Sequence, residues 1–119
     1  METPENADQL FEEFLSKDKF LVESAYPGIS EESLRPILSQ KINEVAKDFQ
    51  KIANSETPTE EQYQEAIKIG LERFPELELG FDSEDRERIC LYFKEVMDIV
   101  GLQSSQGQIN RFYYGFNIN

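Results

Sequence analysis

The chain has 119 residues with 24 acidic and 12 basic side chains, a formal net charge of −12, one cysteine and no histidine. That composition excludes a His/Cys zinc site, an intrachain disulfide and any catalytic dyad or triad needing imidazole, and so negative a chain is ill suited to nucleic-acid phosphates. Hydrophobic residues at 39% are enough for the core of one domain, and no apolar run is long enough to span a membrane.

Thr3-Pro4 is a helix-start signal, with proline at the first helical position. Leu10, Phe11, Phe14 and Leu15 follow at spacings of three and four, which predicts a helix over roughly residues 5–17. Phe20-Leu21-Val22 either extends it or docks as an irregular segment, and Tyr26-Pro27-Gly28 is a turn.

The second helix is the clearest element. Leu34, Ile37, Leu38, Ile42, Val45, Ala46, Phe49, Ile52 and Ala53 keep one face for about five turns. Pro36 is tolerated only in a first turn, so Ser33 is the expected cap and residues 30–33 a turn.

Thr57 and Glu60 have capping-box spacing around Pro58 and start the third helix. Tyr63, Ala66, Ile67, Gly70, Leu71 and Phe74 form its apolar face, and Pro75 stops it. Gly70 on that face either permits a close helix crossing or is a tolerated glycine costing about 1 kcal/mol. Leu77, Leu79 and Phe81 alternate, which predicts an extended connector with these side chains turned inward.

Asp82 or Ser83 caps a fourth helix whose core face is Ile89, Cys90, Phe93, Val96, Met97 and Val100. Gly101-Leu102 has the form of a glycine C-cap with its hydrophobic latch. Ser104 or Ser105 caps a short last helix carrying Ile109, Phe112, Tyr113 and Phe116, with Tyr114 off that face and Gly115 at its end. The expected fold is all-α, a compact single-domain bundle of about five helices over residues 1–119 with the second at the centre.

The acidic excess is uneven. Residues 1–29 hold 7 acids against 2 bases and residues 57–80 hold 6 against 2, whereas 30–56 hold 5 against 4 and 81–119 hold 6 against 4. A solvated surface is the simpler account, and a steering field for a basic partner the functional one. On the second account Glu12, Glu13, Glu60, Glu61 and Glu65 are the candidate partner-binding residues. Glu61 and Glu65 share a helical face. The nearly neutral tail, with Arg111 its single charge after Asp98, is read as a helix packed into the core rather than an exposed aromatic patch.

The residue patterns that could carry chemistry are few and incomplete. Paired acids such as Glu12-Glu13, Glu31-Glu32 and Glu60-Glu61 sit at capping or exposed helix positions, where the helix macrodipole accounts for them. A calcium loop opening at Asp82 would need glycine sixth and an acid twelfth, and those positions are Glu87 and Phe93. Cys90 has Arg86 and Lys94 four residues either side but reads as a small buried apolar residue beside Ile89 and Phe93. Gly101 to Gly107 lacks the lysine and spacing of a phosphate loop. No metal and no cofactor is expected.

The start Met1-Glu2-Thr3-Pro4-Glu5-Asn6 lacks the basic-then-apolar layout of a secretory signal, and lone Cys90 suits a reducing compartment, so a cytoplasmic location is expected. The stretch Tyr92 to Phe116, with Met97-Asp98-Ile99-Val100-Gly101-Leu102, Ser104-Ser105 and Tyr114-Gly115-Phe116, resembles the C-terminal portion of small acidic bacterial proteins classed as a domain of unknown function. The resemblance implies a bacterial, single-domain, largely helical protein and carries over no catalytic residue. Together with the charge it leads to a non-catalytic protein-binding domain, of the immunity or inhibitor type, acting on a basic partner. The alternatives are a regulatory or structural module, or a small enzyme using carboxylates in a cleft.

Overall fold

The computed structural model describes residues 1–115. Five α-helices of seven residues or more and one single-turn helix surround one buried core among these residues: α1 (Ala7–Ser16), α2 (Arg35–Ala53), α3 (Glu60–Glu72), α4 (Glu76–Leu79), α5 (Ser83–Val100) and α6 (Gln108–Tyr114). The all-α bundle is as expected; Phe116 lies outside the described residues.

The second helix is central, packing on α1, α3 and α5. Leu38, Ile42, Val45, Ala46 and Phe49 are buried along it, facing Phe11 and Phe14 of α1, Tyr63 and Ile67 of α3, and Ile89, Phe93 and Val96 of α5 within one cluster. Each large side chain so buried contributes about 1.5–3 kcal/mol before chain entropy is counted. Ile37 is the exception on the expected face and is exposed, because at 100° per residue it falls to one side of the stripe that Leu38, Ile42, Val45 and Phe49 bury. Gly70 lies where side chains of α2 and α5 press on α3. A Cβ built there would stand 2.8 Å from Val45 Cγ2 and 3.0 Å from Phe93 Cε2, so the glycine admits α2 and α5 side chains against the α3 backbone.

Helix starts differ from the sequence reading in four places. Thr3-Pro4 does not open α1, which begins at Ala7; the Thr3 hydroxyl instead donates to the Ala53 carbonyl at the end of α2, at 2.9 Å. Ser33 is not a cap. A 3-10 turn, Glu32–Leu34, runs straight into α2, with Pro36 in the first turn where its missing N–H costs nothing. The capping box of α3 is Thr59 with Gln62, not Thr57 with Glu60: the Gln62 N–H donates to Thr59 Oγ1 and the Thr59 N–H to Gln62 Oε1. Pro58 is buried just before that cap and Tyr63 is buried four residues after it, the positions that a hydrophobic staple uses, whereas a cap at Thr57 would put Glu56 and Glu61 there. The last helix is preceded by Gly107 rather than by a serine cap, although Ser105 Oγ still accepts from the Ile109 N–H at 3.2 Å.

The segment after Pro75 is not extended. It closes one helical turn and stops at Gly80, whose φ of 79° places it in the left-handed region. The turn rotates Leu77 outward until it is 99% exposed, while Phe81 is buried and Leu79 partly so. The end of α5 is as expected: the Gly101 N–H donates to Asp98 O and the Leu102 N–H to Met97 O, with Leu102 buried, a Schellman pattern.

Candidate functional site

The long connection between α1 and α2 is bound to α5 through groups that periodicity does not show. Phe20 adopts φ of 63°, which a bulky residue holds only when its surroundings over-determine it. Here its N–H donates to Tyr92 Oη at 2.7 Å, its carbonyl accepts from Arg35 Nη1 at 2.7 Å and from the Ile29 N–H, and its ring meets Tyr92 edge-on at 5.1 Å. Lys19, only 2% exposed, donates its amine to the Phe14 carbonyl at 2.6 Å, near the C-terminus of α1, and to the Lys17 carbonyl at 3.1 Å. Burial, with help from the neighbouring Lys17 charge, lowers this amine to about 8.

Asp85 is completely buried and joins two tasks. It is the reciprocal partner of Asp82 in the capping box of α5. Its carboxylate also accepts from Tyr26 Oη at 2.8 Å and from the Ser30 hydroxyl and amide, which fastens the loop to the helix. Burial and the bond to Asp85 push the Tyr26 phenol well above its ordinary range, and the Arg88 guanidinium lies 4.6 Å from that ring while pairing with Glu23. The Asp82-to-Asp85 spacing is readable as a cap in the sequence; the burial is not. Hydroxyl and amide donors occupy both oxygens of Asp85, which gives this acid a structural account.

The candidate acids lie on the first and third helices of the sequence and are separate in space as well. Glu60, Glu61 and Glu65 line one groove of about 710 Å³ with Thr59, Gln64, Lys68, Gln106 and Gln108. Its far wall is held in place by amides: Gln64 Nε2 donates to the Ser104 carbonyl at 2.7 Å, and Gln108 Nε2 donates to Gln64 O and Oε1, both at 3.0 Å. None of the three glutamates enters an ion pair among the described residues. Glu12 and Glu13 do not join them. Glu12 faces α2 and accepts from Gln50 Nε2 at 3.0 Å, whereas Glu13 stands on a second groove, between α1 and α5, of about 340 Å³. That groove is lined by Leu10, Glu13, Phe14, Lys17, Glu95, Asp98 and Ile99, and sequence reading missed its α5 wall because nothing in either helix alone announces that the two are neighbours.

Cys90 is 3% exposed, and burial raises its thiol to about 11, away from nucleophilic reactivity. Among the described residues no group of three or more His, Cys, Asp or Glu side chains is placed to hold a metal ion, and no helix is long and apolar enough to cross a membrane.

The family described as a domain of unknown function (DUF4844) matches residues 2–117. The chain belongs to that family. The resemblance carried by Tyr92 to Phe116 thus extends over nearly the whole sequence. A solved structure of a DUF3571 family protein from Acinetobacter baumannii AYE is also similar: it is 32% identical, superposes with a TM-score of 0.83, and the likeness covers 92% of this chain and 89% of that one. No curated protein matches. Membership therefore carries the helical fold.

Proposed function

We propose that the chain is a non-catalytic protein-binding domain of the immunity or inhibitor type, which engages a basic protein partner. The observation that carries this reading is the groove beside α3, where Glu60, Glu61 and Glu65 stand together with no ion-pair partner among the described residues, against a wall of glutamine amides. Like charges one turn apart, as Glu61 and Glu65 are, repel by a few tenths of a kcal/mol, and an incoming lysine or arginine reverses that sign. Acids so arranged on an acidic chain raise the association rate of a basic protein at low salt.

The test is affinity capture from the native host, followed by association rates of the captured protein with wild type and with Lys substitutions at Glu60, Glu61 and Glu65. The expected rate falls about tenfold or more for the triple substitution, and falls again as salt shortens the Debye length to ~10 Å. A captured partner that associates at a rate indifferent to both salt and these charges would mean that the acidic surface serves solubility, and the reading fails.

A further inference from the structure

The groove between α1 and α5 differs in kind from the one beside α3. The latter is lined by polar and charged side chains alone. The former has an apolar floor, made by half-buried Leu10 and the outer edges of Phe14 and Ile99, inside a charged rim. Its walls are two helices, and the lining residues recur one turn apart: Leu10, Glu13 and Phe14 on α1 with Lys17 at its C-cap, then Glu95, Asp98 and Ile99 on α5. A furrow between two helix surfaces with such spacing is the shape that a third helix fills, ridge into groove.

Charge selects among helices. The lining carries three carboxylates and one ammonium, a net charge of −2. Lys17 is already committed: its amine sits 2.6 Å from Glu95 Oε1 and 5.1 Å from the centre of the Phe14 ring, so the pair closes one end of the furrow. Glu13 and Asp98 remain, both exposed and outside every ion pair among the described residues.

We propose that the α1–α5 furrow is the seat of an amphipathic helix of a basic protein partner, with an apolar anchor over Leu10, Phe14 and Ile99 and flanking lysine or arginine side chains opposite Glu13 and Asp98. This rests on the reading of the chain as a binder of a basic partner and adds the docking mode. The acids beside α3 act at longer range, and the furrow supplies the contact that desolvates an anchor.

The probe is a synthetic amphipathic helix of about four turns built from leucine and lysine, alongside one with the same lysines and serine for leucine, and one with the same leucines and glutamate for lysine. Affinities are measured by calorimetry, and the site is located by amide shifts in NMR. The leucine–lysine helix is expected to bind with shifts confined to α1 and α5, and each control about tenfold more weakly. Glu13→Lys with Asp98→Lys, two exposed positions that leave the core untouched, should weaken the leucine–lysine helix by about tenfold, and Glu61→Lys with Glu65→Lys by no more than about twofold. If the serine control binds equally well, or if only the α3 substitutions matter, the furrow is not the seat, while the basic-partner reading stands. If no charge reversal and no change of salt alters binding, both fail.

Discussion

Replacing Gly70 with alanine tests whether the α2–α3–α5 crossing is as close as the structure has it. Two opposed effects act on the same methyl group. Alanine is the better helix former by about 1 kcal/mol, so a glycine with room around it would gain stability on substitution. Here the new Cβ would stand 2.8 Å from Val45 Cγ2 and 3.0 and 3.1 Å from Phe93 Cε2 and Cζ. Val45 and Phe93 are each only 1% exposed, so neither side chain can swing into solvent to relieve the clash. Overpacking of this kind costs about 1–3 kcal/mol, which offsets the propensity gain and leaves Gly70→Ala destabilised by up to about 2 kcal/mol. Val45→Ala removes the nearest methyl and should lose stability by itself through the cavity it leaves. Combined with Gly70→Ala, part of that cavity is refilled, so the double variant should be more stable than the sum of the singles by about 1 kcal/mol. Urea unfolding of the four proteins at a common m-value measures all three quantities. A Gly70→Ala variant more stable than wild type, with additive behaviour in the cycle, would refute the close crossing and leave Gly70 a tolerated helix glycine.

Three further outcomes follow from buried groups. Phe49→Ala, which deletes a fully buried ring 5.0 Å from that of Tyr63, should cost about 3–5 kcal/mol, and a melting temperature within a few degrees of wild type would contradict the central place of α2. Cys90, with its thiol buried and raised to about 11, should react with a thiol reagent only as fast as the protein opens, so labelling of the native protein at the rate of a free thiol would contradict its burial. Lys19 should give a rising limb in stability between about pH 8 and 9. The folded amine titrates near 8 and the unfolded one near its ordinary 10.5, so over that interval the unfolded chain binds the additional proton and stability climbs with pH, by at most about 1.4 kcal/mol per unit. Cys90 opposes this above about pH 9, because its folded thiol titrates later than its unfolded one. Chemical denaturation across pH 7.5–9 should show the climb in wild type and lose it in Lys19→Met; equal slopes in the two would assign it to another group.

Periodicity alone determined the five longer helices and most of what they bury. Leu38, Ile42, Val45, Ala46 and Phe49 on α2, and Ile89, Cys90, Phe93, Val96, Met97 and Val100 on α5, recur every three or four residues and are all buried, because a helix turns 100° per residue whatever it packs against. The glycine stop at Gly101 was equally local, since only backbone conformation is at stake there. Competition between local signals was settled by packing. Thr57–Glu60 and Thr59–Gln62 both have capping-box spacing, and burial of Pro58 and Tyr63 favoured the second. Leu77 reads as an inward residue in an alternating run and became the most exposed leucine when that run closed into a helical turn.

The candidate surfaces depended on tertiary structure more heavily still. The clustering of Glu60, Glu61 and Glu65 followed from one helix, but the glutamine wall opposite them comes from residues 106 and 108, some forty positions away. Glu12 and Glu13 are adjacent in sequence and face different neighbours, because consecutive helical positions point 100° apart. Asp85 looks like any first-turn acid until the loop carrying Tyr26 and Ser30 folds over it, and the α1–α5 furrow does not exist until the two helices meet. Helical period is a property of neighbours along the chain, whereas a groove or a buried carboxylate is a property of neighbours in space, and the contacts that define those form only when the whole core does.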